Sequence, residues 1–171
     1  MGLFNREEIR KTLVECGVQT LEDVISIIAQ DEDEQDAVFN ALVFDSNAVY
    51  GRVLISLDTV KNYQNTLQES DPEDEEEKEE IQFSAAEFDY INHGEITLLD
   101  FNDMNASFSD INEGIDVFMD MVCEALLDLM ETDVYKKLPK SDGFEALCMD
   151  HDAGVDGSRQ RLERVKQAYK A

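Results

Sequence analysis

The stretch that decides the fold reads Ala37-Val-Phe-Asn-Ala-Leu-Val-Phe44, then Asp45-Ser-Asn47 and, after one alanine, Val49-Tyr-Gly-Arg-Val-Leu-Ile-Ser-Leu57. The two outer segments are rich in β-branched and aromatic residues, which favour extended backbone, whereas Asp, Ser and Asn favour turns. Two such segments joined by a turn predict an antiparallel hairpin. We expect this hairpin to lie at the centre of a sheet.

Helical patterns lie on both sides of the hairpin. Before it, we expect a short helix that begins after Asn5 and ends at Gly17, then a second helix that Thr20 can cap and the acidic cluster 31–36 closes. After the hairpin, a third helix should begin at residue 58 or 59 and end near residue 68.

The clearest helix is predicted over about 109–131. Apolar residues recur there at steps of three and four along one stripe, from Ile111 to Leu129. The opposite side carries the carboxylates of Asp110, Glu113, Asp116, Asp120, Glu124, Asp128 and Glu131. We therefore expect one face to enter the core and the other to form an outward ladder of carboxylates.

Further strands and a last helix complete the pattern. Apolar residues between Phe83 and Phe101 predict one or two strands with a break at Asn92-His93-Gly94. Residues 144–149 predict a closing strand, and 158–169 a basic terminal helix. With 171 residues, the chain has the usual size of one domain. We predict a single α+β domain over 1–171, in which an antiparallel sheet (the central hairpin plus further strands) packs against several helices, including the long acidic amphipathic one.

One segment contrasts with these patterns. Asp71-Pro-Glu-Asp-Glu-Glu-Glu-Lys-Glu-Glu80 carries eight carboxylates in ten residues. Like charges repel one another, and the segment offers nothing apolar to bury. We expect a mobile acidic loop at about 70–81, or a frayed helix.

The charge balance limits the possible functions. The chain has 40 acidic and 14 basic residues, and its formal net charge is -26. Self-repulsion of this size lowers stability, so a reason outside the fold is expected: a basic protein partner, imitation of nucleic acid, cation binding or a salt-rich cytoplasm. Phosphates would repel such a surface, which argues against direct binding to nucleic acid or to an anionic membrane.

The cysteines and the N-terminus indicate the compartment. Cys16, Cys123 and Cys148 are odd in number and widely spaced, which does not fit a disulfide framework. The first residues lack the basic and apolar regions of a secretory signal, and no apolar run approaches the ~18 residues of a membrane span. We expect a cytoplasmic protein.

One loop has part of a calcium-binding pattern. In Asp150-His-Asp-Ala-Gly-Val-Asp-Gly157, alternate aspartates resemble half of a calcium loop, but Gly154 and Arg161 stand where such a loop needs ligands. We interpret the segment as a polar loop in which Gly154 and Gly157 adopt positive φ.

Other candidate ligands and catalytic groups are sparse. Cys148 and His151 could form part of a zinc site with Cys16, Cys123 and His93, yet no second closely spaced pair exists. Buried apolar cysteines are the better interpretation. The sequence has no Gly-rich phosphate loop, no Gly-x-Ser-x-Gly elbow and no His-Glu-x-x-His motif. We predict a protein that is not an enzyme and has no metal, cofactor or catalytic residues.

The acidic features together favour a protein-binding surface. Either feature alone is typical of an ordinary solvated face, but Lys78 is the only basic residue between Asn62 and Tyr135. Carboxylates on successive helical turns lie roughly 5–6 Å apart and can engage the Arg and Lys side chains of a basic protein. The predicted partner-binding residues are Asp110, Glu113, Asp116, Asp120, Glu124 and Asp128 on the long helix, and Glu73, Asp74, Glu75, Glu76 and Glu77 in the acidic segment. Because we expect the helix carboxylates to face solvent, their neutralisation should leave stability unchanged or improve it.

Two short segments carry a resemblance to known sequences. Phe83-Ser-Ala-Ala-Glu-Phe88-Asp-Tyr90 is similar to the form Trp-Ser-Pro-x-Glu-Trp-x-Tyr, with both tryptophans replaced by phenylalanine and the proline by alanine. With the closing strand and Asp150-His-Asp152, it resembles uncharacterised bacterial domain families that occur beside polymorphic toxins. The order of elements agrees over most of the chain, and the residues agree over these segments only. The resemblance implies an immunity-type protein that binds and blocks a toxin, and it assigns no binding residue.

Three functions are open from the sequence. The first is a cytoplasmic immunity or inhibitor protein whose acidic surface covers a basic site on a toxin or nuclease. The second is a DNA mimic that occupies nucleic-acid-binding proteins, and the third is an accessory domain of a salt-adapted cytoplasm. A cognate toxin encoded nearby would favour the first, competition by duplex DNA the second, and stability that rises steeply with molar salt the third.

Overall fold

The computed structural model describes residues 5–32, 35–91, 96–98, 108, 110–150 and 152–169. Six α-helices lie within these residues: α1 Arg6–Gln30, α2 Val60–Ser70, α3 Glu75–Gln82, α4 Ile111–Met130, α5 Asp133–Lys137 and α6 Gly154–Tyr169. Five strands lie within them: β1 Phe39–Asn47, β2 Arg52–Thr59, β3 Tyr90–Ile91, β4 Ile96–Thr97 and β5 Lys140–Asp150. The predicted α+β class is confirmed.

The predicted hairpin is confirmed, but its predicted turn is wrong: Asp45, Ser46 and Asn47 belong to β1, where they pair with Leu54, Val53 and Arg52. β1 and β2 pair antiparallel, with Leu42 opposite Leu57. A short 3₁₀ turn, Ala48–Tyr50, joins the strands, and Gly51 follows it with a φ of 60°. This left-handed backbone favours glycine, so the turn depends on that residue.

The sheet is mixed, so the prediction of an antiparallel sheet is wrong for one strand. The strand order is β3–β2–β1–β5, and β4 also pairs with β2. β2 is antiparallel to its neighbours, but β5 lies parallel to β1, with Ala41 opposite Glu145 and Phe44 opposite Cys148. The apolar pattern of 144–149 is the same in either direction, so it could not predict this. A parallel neighbour requires a crossover connection, and the chain reaches β5 through α4 and α5.

β1 is buried on both faces of the sheet. Leu42 and Phe44 join the core formed with α1 and α4, while Ala41 and Val43 belong to a second cluster on the other face. The other buried members of that second cluster are Phe83, Ala85, Phe88 and Leu147. A strand with two buried faces needs apolar side chains at consecutive positions, which explains the unbroken run at 41–44.

Residues 6–30 form one helix, α1, where two were predicted. Gly17, expected to end the first helix, lies inside α1 where it meets α4: a Cβ at this position would lie 2.8 Å from Leu129 Cδ2. Thr20, expected to cap the second helix, donates its hydroxyl to the carbonyl of Cys16 at 2.9 Å. The glycine therefore permits a close helix contact, and it does not end the helix.

The segment predicted as a mobile acidic loop or a frayed helix contains a capped helix, α3. Its N-cap is Asp74, whose carboxylate accepts a hydrogen bond from the backbone N–H of Glu77 at 3.0 Å. Three glutamates occupy the first turn, where negative charge interacts favourably with the helix dipole: Glu75, Glu76 and Glu77. This favourable placement offsets part of the repulsion on which the loop prediction was based.

The remaining predicted elements agree with the structure in part: the segment 83–89, expected as strand, holds the C-cap of α3 and a 3₁₀ turn at Ala85–Glu87, and the last helix begins at Gly154, four residues before the predicted start. α2 begins after Thr59, α4 begins after Asp110, and β3 and β4 are the expected short strands before the long helix. The predicted break at Asn92-His93-Gly94 lies outside the described residues. None of the described helices combines the length and the apolar character needed to cross a lipid bilayer.

Gly17→Val should lower the free energy of unfolding by about 1–3 kcal/mol, because the added side chain must displace Leu129, which is fully buried. Valine has a better helix propensity than glycine, so a loss would report packing alone. Chemical denaturation measures the change. Gly143→Val is the control, since a Cβ there would meet nothing within 4 Å, and its effect should be below about 0.5 kcal/mol. Equal stabilities for the two variants would contradict the close contact of α1 with α4.

Candidate functional site

The residues predicted to bind a partner lie on two surfaces. The α4 face consists of Asp110, Glu113, Asp116, Asp120, Glu124 and Asp128. The α3 surface consists of Glu73, Asp74, Glu75, Glu76 and Glu77, together with a groove between α2 and α3 that Glu69, Glu80 and Glu87 help to line. The two surfaces differ in how many basic side chains neutralise them.

Basic residues of α1 neutralise one end of the α4 face. Arg6 Nη2 lies 2.5 Å from Glu124 Oε1, and Arg10 Nε lies 2.7 Å from Asp128 Oδ2. The two arginines are four residues apart, as are the two carboxylates, so one turn of α1 matches one turn of α4.

Basic residues of α6 neutralise the middle of the α4 face. Arg161 lies 2.9 Å from Asp116 Oδ1 and 3.1 Å from Asp120 Oδ1, and Arg164 binds both oxygens of Asp120 at 2.6 and 2.9 Å. The side chain of Arg161 is only 14% exposed and also lies 3.7 Å from Asp150 of β5. One arginine therefore joins α4, α6 and β5.

The prediction of an outward carboxylate ladder is wrong for five of its residues, which form ion pairs within the chain: Asp116, Asp120, Glu124, Asp128 and, with Lys136 at 3.1 Å, Glu131. Asp110 is the N-cap of α4 and accepts a hydrogen bond from the backbone N–H of Asn112. Glu113 is exposed and has no ion pair within the part of the chain that the structure describes. The arginines at 6 and 10 and at 161 and 164 carried the missed signal, because their spacing matches that of carboxylates on one helix face. Partner binding by the α4 face stays a prediction.

The α3 surface contains very few basic residues. From Asn62 to Tyr90 the sequence has eleven acidic residues and one basic residue, Lys78. Lys78 pairs with Glu75 in its own helix. Within the acidic segment, Glu77 Oε2 accepts a hydrogen bond from the backbone N–H of Glu73 at 2.6 Å. Negative charge on this surface is therefore largely uncompensated.

One arginine of α6 attaches α3 to the rest of the protein. Arg159 binds both oxygens of Glu145 on β5 at 2.9 Å and lies 2.9 Å from Glu79 on α3. Its guanidinium carbon lies 5.5 Å from the ring centroid of Phe83, within range of a cation–π interaction. Hydrogen bonding to Glu145 raises the pKa of Arg159, although burial acts in the opposite direction. Glu79 is half-buried, whereas the other glutamates of α3 are exposed.

A groove of about 540 Å³ lies between α2 and α3. Pro72 and Ile81 give it apolar surface, and its glutamates are Glu69, Glu77, Glu80 and Glu87. Glu69, Glu80 and Glu87 are exposed and have no ion pair among the described residues. The sequence prediction missed these three residues because it expected a loop at 70–81. The groove exists only when residues 75–82 form a helix beside α2. Their only signal was the near absence of basic residues around them.

A buried carboxylate joins the start of α2 to the segment that precedes β3. Asp58 is 2% exposed, and its Oδ1 accepts hydrogen bonds from Asn62 Nδ2 at 2.7 Å and from the backbone N–H of Asp89 at 3.5 Å. Asn62 also donates to the carbonyl of Glu87 at 2.6 Å, and the Thr59 hydroxyl donates to Asp89 at 2.5 Å. Burial raises the pKa of Asp58 to about 6, although the hydrogen bonds from Asn62 and Asp89 act in the opposite direction. The network holds the Glu87 edge of the groove against α2.

The candidate metal ligands do not form a site among the described residues. Cys123 and Cys148 are fully buried in the core, as predicted, and burial raises the pKa of the Cys148 thiol. Cys16 is half-buried. His93 and His151 lie outside the described residues. Within the part that is described, no group of three or more His, Cys, Asp or Glu residues could hold a metal ion.

The 150–157 segment leads directly into α6. Gly154 has the predicted positive φ, at 65°, but Gly157 lies inside the helix, so that part of the prediction is wrong. Asp150 accepts a hydrogen bond from the backbone N–H of Asp152 at 3.1 Å. Asp152 and Ala153 therefore lie in the turn between β5 and α6, and residues 154–157 form the first turn of the helix.

No protein-family model, curated protein or solved structure matches the chain. The resemblance to immunity-type families therefore stays a prediction.

Asp120→Asn should lower the free energy of unfolding by about 1–2 kcal/mol at low salt, because Asp120 is half-buried and binds both Arg161 and Arg164. This is the opposite of the sequence-based expectation. Urea denaturation provides the measurement. Glu113→Gln is the control and should leave stability unchanged or slightly higher, since it removes one exposed negative charge. Identical behaviour of the two variants would show that these ion pairs do not stabilise the fold.

Asp58→Asn should raise the free energy of unfolding at pH 8 by roughly 1–3 kcal/mol, because it removes a charge that folding buries. The pKa of Asp58 is about 6 in the fold against an ordinary value of 3.8. Between these values the folded wild type binds a proton that the unfolded chain does not, so its stability rises as pH falls from 6 toward 4. The advantage of the variant should therefore shrink over that range. Denaturation of Asp58→Asn and wild type at pH 8 and pH 4 measures this change, with the exposed Asp142→Asn as control. A stability gain of Asp58→Asn that does not depend on pH would contradict the prediction.

Proposed function

We propose that the chain is a non-enzymatic binding protein of the immunity or inhibitor type, which neutralises a basic toxin or nuclease in the cytoplasm through its α3 surface. The observation that supports this function best is the groove between α2 and α3, where Glu69, Glu80 and Glu87 have no ion pair among the described residues.

Uncompensated carboxylates around a groove give a partner two kinds of interaction. Lysine or arginine side chains of the partner would relieve the mutual repulsion of the glutamates, and the negative field would speed the encounter. Pro72 and Ile81 provide apolar surface in the same groove, where a partner side chain can be removed from water. The groove thus combines charge complementarity with a place for an apolar anchor.

The position of α3 is fixed well enough for such a role. Arg159 attaches it through Glu79, and the hydroxyl of Tyr63 on α2 donates to the carbonyl of Lys78 at 3.3 Å. These contacts hold the helix from its inner side and leave its exposed glutamates available. A positioned surface loses less conformational entropy on binding than a loop would.

Co-expression tests the proposed function directly. Each basic protein encoded in the reading frames next to this chain should be expressed with and without it, and the chain should relieve growth arrest by one of them. A purified complex should then resist competition by duplex DNA. Two results together would favour a DNA mimic. Duplex DNA would dissociate the purified complex, and the chain would also relieve growth arrest by several unrelated nucleic-acid-binding proteins. Absence of relief for every neighbour would contradict the immunity function.

The triple variant Glu69→Gln, Glu80→Gln and Glu87→Gln assigns the partner surface. With the partner found by co-expression, we expect its association rate at low salt to fall about tenfold and its salt dependence to flatten. The control neutralises three exposed acids outside both predicted surfaces, Glu22→Gln, Glu32→Gln and Asp142→Asn, so the net charge changes equally. Equal rates for the two triple variants would place the interface away from the groove.

A further inference from the structure

We propose that α6 is a displaceable cover over the α4 face, and that a basic helix of another protein can take its place. The partner chemistry is a helix with arginines three residues apart, because that is what the face already binds. This inference goes beyond the proposed function and rests on contacts within the chain alone.

The α4 face holds the guanidinium groups of α6 in a defined arrangement. Arg161 bridges Asp116 and Asp120, and Arg164 binds Asp120 through two nitrogens. Bidentate pairs of this kind select arginine over lysine, since only the guanidinium presents two parallel donors. Near the end of α6, the hydroxyl of Tyr169 donates to Asp128. The face is therefore a receptor for a basic helix, and the structure shows it occupied.

The apolar attachment of α6 is smaller than that of α4. In this helix of 16 residues Ser158 and Val165 are buried, and Val155 and Leu162 are half-buried against the core, whereas α4 has nine buried residues in 20. Arg164 is 60% exposed, so water already reaches its pair with Asp120. Elements with few buried apolar contacts open at lower free energy than the core that they cover. We therefore expect α6 to release while α4 and the sheet stay folded.

Covalent attachment explains why α6 occupies the face in the isolated chain. A tethered segment has an effective concentration in the millimolar range, so a free helix of the same sequence competes poorly at micromolar concentration. A partner helix must therefore bind more tightly than α6, or α6 must first be weakened. Substitutions on α6 test this directly.

The probe is a fluorescein-labelled synthetic peptide with the sequence of residues 154–169. The full-length double variant Arg161→Gln, Arg164→Gln should bind this peptide at least about tenfold more tightly than the wild type does, because its own helix no longer competes well. Adding Asp116→Asn and Asp120→Asn to the double variant should remove the gain. No gain in the double variant would overturn the proposal. A gain that survives neutralisation of the two aspartates would also overturn it, because the peptide would then be binding elsewhere.

Hydrogen exchange on the same proteins shows whether α6 releases separately. In the double variant, the amides of 154–169 should exchange at least about tenfold faster, while those of α4 and β1 keep their protection. Equal loss of protection in α4 and β1 would overturn the proposal, since the cover would then belong to one cooperative unit.

Two single variants keep the test valid if the double variant does not fold. Arg164→Gln changes an exposed arginine and should give a smaller gain in peptide binding with the same pattern of exchange. Lys166→Gln removes one positive charge from the same helix, but among the described residues Lys166 pairs with Glu163 of α6 alone. It should give no gain, and a gain equal to that of Arg164→Gln would show that net charge, and not the contact with the α4 face, is responsible.

Discussion

Scarcity of positive charge is the constraint on which this structure depends. The chain has 14 basic residues for 40 acidic ones, and several arginines lie where two or three elements meet. Arg161 joins α4, α6 and β5, and Arg159 joins α3, β5 and α6. A carboxylate beside one of these arginines helps to hold the fold, and its removal leaves a half-buried cation without its partner. The positions of a few arginines thus separate structural acidic residues from those available to a partner.

The separation of ion-paired acidic residues from uncompensated ones also explains how so acidic a chain keeps a defined fold. The core beneath the charged helices is apolar on both faces of the sheet, and the buried side chains of β1 contribute to both sides. Repulsion on the α4 face is reduced by arginines from α1 and α6. On the α3 surface, repulsion is reduced mainly by the helix dipole and by the screening of exposed charges in salt solution. The α3 surface is therefore one region of the described chain where negative charge stays largely uncompensated.

Local patterns predicted the hairpin, the long helix, the basic last helix and the buried cysteines, because each depends on the period or burial of neighbouring residues. Several of the errors involve residues distant in sequence. Gly17 could be recognised as a contact residue only with Leu129 opposite it, and the direction of β5 depends on its pairing with β1. The α4 face was predicted correctly as a row of carboxylates, but its ion-paired members were wrongly expected to be without partners. Arg161, for example, lies 41 residues from Asp120 in sequence. The groove required a folded α3, which the charge run argued against.

The parallel pairing of β1 with β5 has a consequence for the newly made chain. Ala41 of β1 lies opposite Glu145 of β5, so one edge of β1 has no partner strand until about a hundred further residues have left the ribosome. Through that interval the hairpin presents an apolar strand edge to other nascent chains, which is the geometry that initiates aggregation. The acidic residues that emerge in between, from the α3 surface through α4, give the incomplete chain a strong negative charge. Mutual repulsion between such chains would keep their strand edges apart until the last strand is synthesised.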